Sequence, residues 1–112
     1  MSNFRAPPRE IWIQVLPELQ AFFTRLFRIP IPHGTLVTSW YRDQAVNAAV
    51  GGVPTSFHLW GLALDVSTPE PAFLIDEARF QGLEAFDSGT HVHIEPLGRP
   101  PVFRGPSSGL AA

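Results

Sequence analysis

The chain has 112 residues, of which 45% are hydrophobic, and this size and composition suit one globular domain with a single packed core. Only eight residues are lysine or arginine and the formal net charge is -2, so no basic stripe exists to neutralise phosphates and nucleic acid is excluded as an expected partner. Cysteine is absent, which excludes disulfides and thiolate metal ligands and leaves histidine and carboxylate for metal binding.

The beginning of the chain, Met1 to Pro8, lacks the continuous apolar stretch and small-residue cleavage site of a signal peptide. No run anywhere approaches the roughly 20 apolar residues that a membrane helix requires. We therefore expect a protein that is synthesised in the cytoplasm and is not inserted into a membrane.

Apolar residues between Ile11 and Phe27 repeat at the spacing of one helix face. Pro17 interrupts this pattern but suits the first turn of a helix, and Glu18 follows it near the positive end of the helix dipole. The sequence therefore predicts a helix over residues 17–27 whose apolar face packs in the core. Residues 11–16 form either a separate turn or the other side of a kink.

Residues 29–34 contain two prolines and a glycine, which predict an extended connection that ends in a turn. Residues 35–39 are rich in strand formers, and residues 43–50 predict a helix capped by Asp43 and closed by two glycines. The corner between them, residues 40–42, is a common location for functional side chains.

In the second half, residues 62–67 predict a strand and residues 71–81 a helix. Two further strands, 83–86 and 91–95, are joined by the turn-forming residues 87–90. The expected fold is α+β, with a small central antiparallel sheet and helices packed on one face.

Two parts of the chain differ in composition. Residues 98–112 are rich in proline, glycine and serine and contain few core-forming residues, which predicts an extended or disordered tail. Residues 1–97 are accordingly expected to form the single domain.

Three residues provide the chemistry of a metal site: His58 and Asp65, seven positions apart, and His93 further along the chain. Two imidazoles and one carboxylate suit a zinc ion whose fourth position is open to water. His91 and His93 lie on the same face of the predicted strand, because strand side chains alternate. One of them can therefore bind metal while the other acts beside it.

From Thr35 to Glu95 the order and spacing of motifs closely resemble the zinc D-alanyl-D-alanine carboxypeptidases and the related L-alanyl-D-glutamate endopeptidases. These enzymes share a fold with the hedgehog signalling domain. The motifs that carry the resemblance are Ser39-Trp40-Tyr41-Arg42, Asn47 with Ala49-Val50-Gly51-Gly52-Val53-Pro54, Ser56-x-His58-x-x-Gly61-x-Ala63-x-Asp65, and His91-Val92-His93-Ile94-Glu95.

The resemblance implies that His58, Asp65 and His93 bind one zinc ion per chain. It also implies that Arg42 faces the scissile carbonyl or a substrate carboxylate, a task that suits its planar charged fork. The alternative for Arg42 is an ion pair with Asp43 or another acid.

Substrate contacts are expected from the motif residues Tyr41 and Ser56. Ser56 lies just before a ligand histidine, so its hydroxyl can equally brace the turn.

The general base is the point at which the sequence departs from part of the family. Several members have an acid three residues before the second histidine ligand, where this chain has Thr90. A threonine hydroxyl is not a base near neutral pH, so His91 is the expected proton acceptor. Asp87 and Glu84 are the carboxylate alternatives. Without a catalytic role, Asp87 would cap the turn and Glu84 would be a solvated side chain.

The predicted function is hydrolysis of peptide bonds in peptidoglycan stem peptides by a zinc peptidase, such as a phage-type lysin that acts on the wall once released. The alternatives are a zinc-binding interaction module of the same fold without catalysis, and a metal-dependent amidase that acts on a different amide.

Overall fold

The computed structural model describes residues 4–101 and contains four helices and four strands within that range. The helices are α1 (Arg9–Trp12), α2 (Leu16–Leu26), α3 (Gln44–Ala49) and α4 (Pro71–Phe80), and the strands are β1 (Leu36–Ser39), β2 (Leu64–Ser67), β3 (Leu83–Asp87) and β4 (Val92–Pro96). Two short 3-10 turns, Ile13–Val15 and Phe57–Trp60, complete the list.

The four strands form one sheet in the order β1-β2-β4-β3, and every neighbouring pair is antiparallel. The expected α+β fold with a central antiparallel sheet is therefore confirmed. The two central strands pair so that Asp65 of β2 lies opposite His93 of β4. Strand pairing thus brings together two residues that are 28 positions apart in the sequence.

Side-chain alternation gives the sheet two different faces. On one face, aliphatic residues of β2, β3 and β4 are buried in a core that also contains Phe22 and Leu26 of α2 and Leu74 and Ala78 of α4. The opposite face carries Asp65 and His93, because strand side chains point alternately to the two sides. Helices α2 and α4 therefore pack against the apolar face of the sheet, and Asp65 and His93 lie on the opposite face.

From Arg9 to the start of α2 the chain is helical throughout. Helix α1 leads into the first 3-10 turn and then into α2, where Pro17 is the second residue. A proline at this position removes an N–H that has no partner within the helix, so the helix continues past it. Residues 11–16, for which the sequence left a separate turn or the other side of a kink open, thus comprise the end of α1, the 3-10 turn and the first residue of α2.

Two element boundaries depend on individual hydrogen bonds. Asp43 caps α3 as predicted, because its Oδ1 accepts a bond of 2.8 Å from the Val46 N–H. Strand β4 begins at Val92, one residue later than predicted. The carbonyl of His91 instead accepts bonds from the N–H and the hydroxyl of Ser88 and closes the turn between β3 and β4.

The sequence did not predict the 3-10 turn Phe57–Trp60. The predicted tail falls mostly on residues 102–112, outside the described residues, whereas residues 98–101 follow β4 without regular secondary structure. Among the helices within residues 4–101, none has the length and apolar character needed to span a membrane.

Candidate metal centre

His58 is held by the local structure of the second 3-10 turn. The Ser56 hydroxyl accepts a bond of 3.0 Å from the His58 N–H and caps the turn, which ends at Gly61 with a φ of 72°. A side chain at Gly61 would also lie 2.6 Å from Pro7, so glycine is required there for two reasons. The turn buries the His58 ring, which is 1% exposed.

The orientation of the His58 ring follows from one hydrogen bond. Its Nδ1 lies 2.5 Å from the carbonyl oxygen of Trp40, which can only accept, so Nδ1 carries the proton. The other ring nitrogen, Nε2, faces Asp65, whose Oδ1 is 3.2 Å away, and is the nitrogen left to bind a metal ion. Carbonyl partners of this kind commonly orient metal-binding histidines.

Asp65 lies between the two histidines at the centre of the sheet. Its Oδ1 is 3.2 Å from Nε2 of His58 and 3.0 Å from Nδ1 of His93. Donor atoms about 2.0–2.2 Å from one tetrahedral zinc ion would be about 3.3–3.6 Å apart, so a small outward movement of each ligand would admit the ion. One donor atom from each of the three residues lies within 4.8 Å of the other two. The donor types and spacing therefore fit zinc.

Glu95 holds the other side of the His93 ring. Its Oε1 lies 2.5 Å from His93 Nε2, so the second ring nitrogen, Nδ1, faces Asp65. The Phe86 ring stacks on His93 with a centroid distance of 4.9 Å. Sequence reasoning gave Glu95 no role, although the alternation of residues 93 and 95 on one strand face was the available signal.

The pKa values of Asp65 and His93 differ strongly from their usual values. Burial by itself would raise the pKa of Asp65, but hydrogen bonds from His58 and His93 outweigh it and hold that pKa well below its usual range. Burial by itself would lower the pKa of His93, but hydrogen bonds to Asp65 and Glu95 raise it to about 9. Without metal, His93 is therefore an imidazolium between two carboxylates at neutral pH.

Zinc affinity should consequently rise with pH up to about 9, roughly tenfold per unit, because the proton on His93 must leave before Nδ1 can bind metal. Glu95→Gln should let the affinity level off at a lower pH, because one of the two carboxylates that hold the proton is gone. Calorimetric titrations in buffers of different ionisation enthalpy measure both the affinity and the proton released. Glu84→Gln is the matched control, and an affinity independent of pH between 6.5 and 9 would contradict the expectation.

Arg42 lies against the metal cluster. Its Nη2 donates to Oδ2 of Asp65 at 2.5 Å, and its Nε donates to the Ser39 hydroxyl at 3.2 Å. The side chain is 13% exposed and borders the groove above the cluster. The ion pair with Asp43 is made by Arg5 instead, at 3.5 Å. Arg42 therefore steadies the carboxylate and also faces the groove.

His91 converges on the same carboxylate from the end of the β3–β4 turn. Its Nε2 lies 3.4 Å from Oδ1 of Asp65, and the side chain is 30% exposed. The other ring nitrogen, Nδ1, lies 3.1 Å from the Thr90 hydroxyl. His91 thus stands beside the candidate metal ligands, on the solvent side.

The remaining predicted residues occupy other positions. Asp87 is exposed at the end of β3, where its Oδ1 accepts a bond of 2.8 Å from the Gly89 N–H. Glu84 accepts a bond from the Ala85 N–H and pairs with Arg79 at 3.7 Å. Tyr41 is buried beneath the Arg5 guanidinium and is 6% exposed. None of Asp87, Glu84 and Tyr41 is among the described residues that line the groove, whereas Ser56 is.

The groove over the cluster has a volume of about 520 Å³ and is open to solvent. His58, Asp65 and His93 thus form a candidate site for one zinc ion, with Arg42 and His91 at its edge. The polar residues of its lining are Arg42, Ser56, His58, Asp65, His91 and His93, together with others at the rim.

Residues 4–95 match the family model described as Peptidase M15, and the chain belongs to this metallopeptidase family. The family is zinc-dependent, in agreement with the donor set found on the sheet. The match includes the three candidate ligands, Arg42 and His91. No curated protein matches the chain.

Proposed function

We propose that the protein is a zinc-dependent peptidase that hydrolyses peptide bonds in peptidoglycan stem peptides, of the D,D-carboxypeptidase or L-alanyl-D-glutamate endopeptidase type. The observation that carries the proposal is the convergence of His58, Asp65, His91 and His93 at the floor of an open groove, in a chain of the M15 family. A phage-type lysin that reaches the wall on release is the proposed setting.

The metal would be held by Nε2 of His58, Oδ1 of Asp65 and Nδ1 of His93. When bound there, zinc supplies a Lewis acid that polarises the scissile carbonyl and makes water a stronger acid. The chain keeps the first two donors fixed through the Trp40 carbonyl and the Arg42 guanidinium. A site held in this way requires little rearrangement to bind its ion.

His91 is the proposed proton acceptor for the attacking water and the donor to the leaving amine. When its Nδ1–H donates to the Thr90 hydroxyl, Nε2 keeps its lone pair toward the groove. Thr90, which stands where relatives have an acid, would then orient the base instead of acting as one. Asp87 is the second candidate, although its carboxylate is held by the N–H of Gly89 in the turn.

Arg42 is proposed to stabilise the negative charge that develops on the carbonyl oxygen. Two of its nitrogen atoms are held by Asp65 and Ser39, which fixes the guanidinium plane at the edge of the groove. The arginine has five N–H donors in all, so donors remain for a substrate oxygen. Ser56 borders the same groove, with its hydroxyl engaged by the His58 N–H.

Arg42→Ala should lower turnover by roughly a hundredfold or more, the effect of removing one oxyanion donor, while the chain still binds zinc. Arg42→Lys should restore little of the turnover, because a point charge lacks the guanidinium fork that can donate to Asp65 and to the substrate at the same time. The measurement is kcat/KM on stem peptides, with zinc content determined on the same samples. An alanine variant as active as the parent would show that Arg42 has no catalytic role and only contacts Asp65.

An interaction module that binds zinc without catalysis is the second candidate function, and Thr90 in place of an acid is the observation that favours it. A metal-dependent amidase with another substrate is the third, since the same groups would cleave a different amide. The test is incubation of the zinc-loaded protein with purified peptidoglycan, followed by mass analysis of the fragments. Stem-peptide cleavage supports the peptidase, release of intact stem peptides supports the amidase, and unchanged peptidoglycan supports the module.

A further inference from the structure

The groove contains two arginines that differ in their partners. Arg42 is paired with Asp65, and the second acid of the lining, Glu95, is held by His93. Arg99 also lines the groove, and within residues 4–101 it makes no ion pair. Residues 1–3 and 102–112 contain no aspartate or glutamate side chain to pair with it.

Arg99 is brought to the groove by the turn that follows β4. Gly98 has a φ of 94°, a left-handed conformation that residues with a Cβ rarely adopt. The chain bends there, and residues 98–100 form part of the groove lining. The charge at position 99 is thus placed by the fold beside the candidate metal centre.

The electrostatic balance of this groove favours an anionic ligand. The two carboxylates of the lining, on Asp65 and Glu95, are matched by the two guanidinium groups of Arg42 and Arg99. A divalent ion at the candidate centre would then leave the groove net positive, and a groove of one sign attracts ligands of the other.

Part of the wall is apolar and exposed. Val50, Val53 and Phe86 line the groove and are 52%, 60% and 45% exposed. Their side chains offer contact to small alkyl groups such as the methyl of alanine. A peptide with alanine side chains and a free carboxylate therefore matches both the surface and the charge.

We propose that Arg99 binds a free carboxylate of the substrate and makes that carboxylate a requirement for efficient cleavage. This inference rests on the proposed peptidase function and specifies its substrate class. In a stem peptide the carboxylate can be the α-carboxylate of D-glutamate or the carboxylate at the peptide's C-terminus. Both present the same planar acceptor to a guanidinium fork.

The experiment uses the zinc-loaded full chain and three forms of one synthetic pentapeptide, L-Ala-γ-D-Glu-L-Lys-D-Ala-D-Ala. One form has both carboxylates free, one has the D-glutamate α-amide, and one has the C-terminal amide. Equilibrium binding of each peptide is measured by calorimetry on proteins that also carry His91→Ala, which should cleave too slowly to consume the peptide. The value of kcat/KM is measured from released fragments on the proteins without that change. The proteins are the parent, Arg99→Gln, Arg99→Lys and the control Arg28→Gln, which alters an exposed arginine that does not line the groove.

For the parent, one of the two amides should bind about tenfold more weakly than the free acid, the effect of losing one charge-assisted contact. The identity of that amide tells which carboxylate is bound. Arg99→Gln should bind the free acid about tenfold more weakly than the parent does. Its affinity should change less than twofold when that carboxylate is amidated. The affinity of Arg99→Lys for the free acid should lie between those of the parent and Arg99→Gln. Arg28→Gln should have the affinities of the parent.

Three outcomes would overturn the proposal: equal binding of all three peptides to the parent, an Arg99→Gln variant as sensitive to amidation as the parent, or no binding of any form. A preference for the acid that depends on Arg99, without cleavage of any form, would support the carboxylate site and contradict the peptidase function. Unchanged zinc content and thermal unfolding of Arg99→Gln establish that its effect is local.

Discussion

His93→Ala should abolish stoichiometric zinc binding, because it removes one of the three donor atoms that surround the candidate site. His58→Ala should do the same, since its Nε2 lies on the other side of Asp65 at 3.2 Å. Loss of an outer partner of a metal ligand already weakens binding by roughly 10- to 100-fold, so loss of the ligand itself should cost more. Metal analysis after dialysis, with calorimetric titration of the metal-free protein, measures the effect.

The matched control for these variants is His33→Ala, which removes an exposed histidine outside the groove lining. It should retain about one zinc per chain and the metal affinity of the parent. Circular dichroism of each metal-free variant establishes whether the sheet has formed. A folded His58→Ala or His93→Ala variant that still holds one zinc ion would overturn the assignment of the site.

His91→Ala should lower turnover by roughly 10²- to 10⁴-fold, the usual contribution of a general base, while zinc stays bound. The ring lies beside the metal ligands, with its Nε2 3.4 Å from Asp65 and 30% of the side chain exposed, but it is not one of the three donors. The measurement is kcat/KM on a stem peptide together with the zinc content of the same preparation.

The neighbouring residues distinguish His91 from the carboxylate alternative. Asp87→Asn should have a much smaller effect, because Asp87 is held by the Gly89 N–H and does not line the groove. Thr90→Glu introduces an acid at the position where several members of the resembled family have one, so it should restore part of the activity in the His91→Ala background. If His91→Ala keeps the activity of the parent and Asp87→Asn is inactive, the carboxylate of Asp87 is the base.

Local sequence signals were sufficient for most of the fold. The Asp43 cap, the alternation in the strands and the apolar spacing before Phe27 each depend on a few consecutive residues, and each element forms at the predicted place within about two residues. The start of β4, one residue later than predicted, depends on a contact outside the strand. The His91 carbonyl bonds Ser88 across the turn, which no strand propensity describes.

The candidate site was predictable in composition and less so in detail. The motif around His58, Asp65 and His93 indicated which residues belong together, and the structure brings their donor atoms within 4.8 Å. Spacing along the chain does not define side-chain direction, however. Tyr41 follows β1 as closely as Arg42 does, yet its ring is buried while Arg42 borders the groove. The contact of Glu95 with His93 depends on rotamers in the same way.

The carboxylate of Asp65 is shared by Arg42, His58, His91 and His93, which come from three separate segments of the chain. Substitutions among these five residues are therefore thermodynamically coupled, and their separate effects will not sum to the effect of a combined variant. Asp65→Ala in particular removes a donor atom, the anchor of Arg42 and a neighbour of His91 in one change. Only double-mutant cycles, with Asp65 as one corner, can apportion the metal-binding and catalytic contributions at this centre.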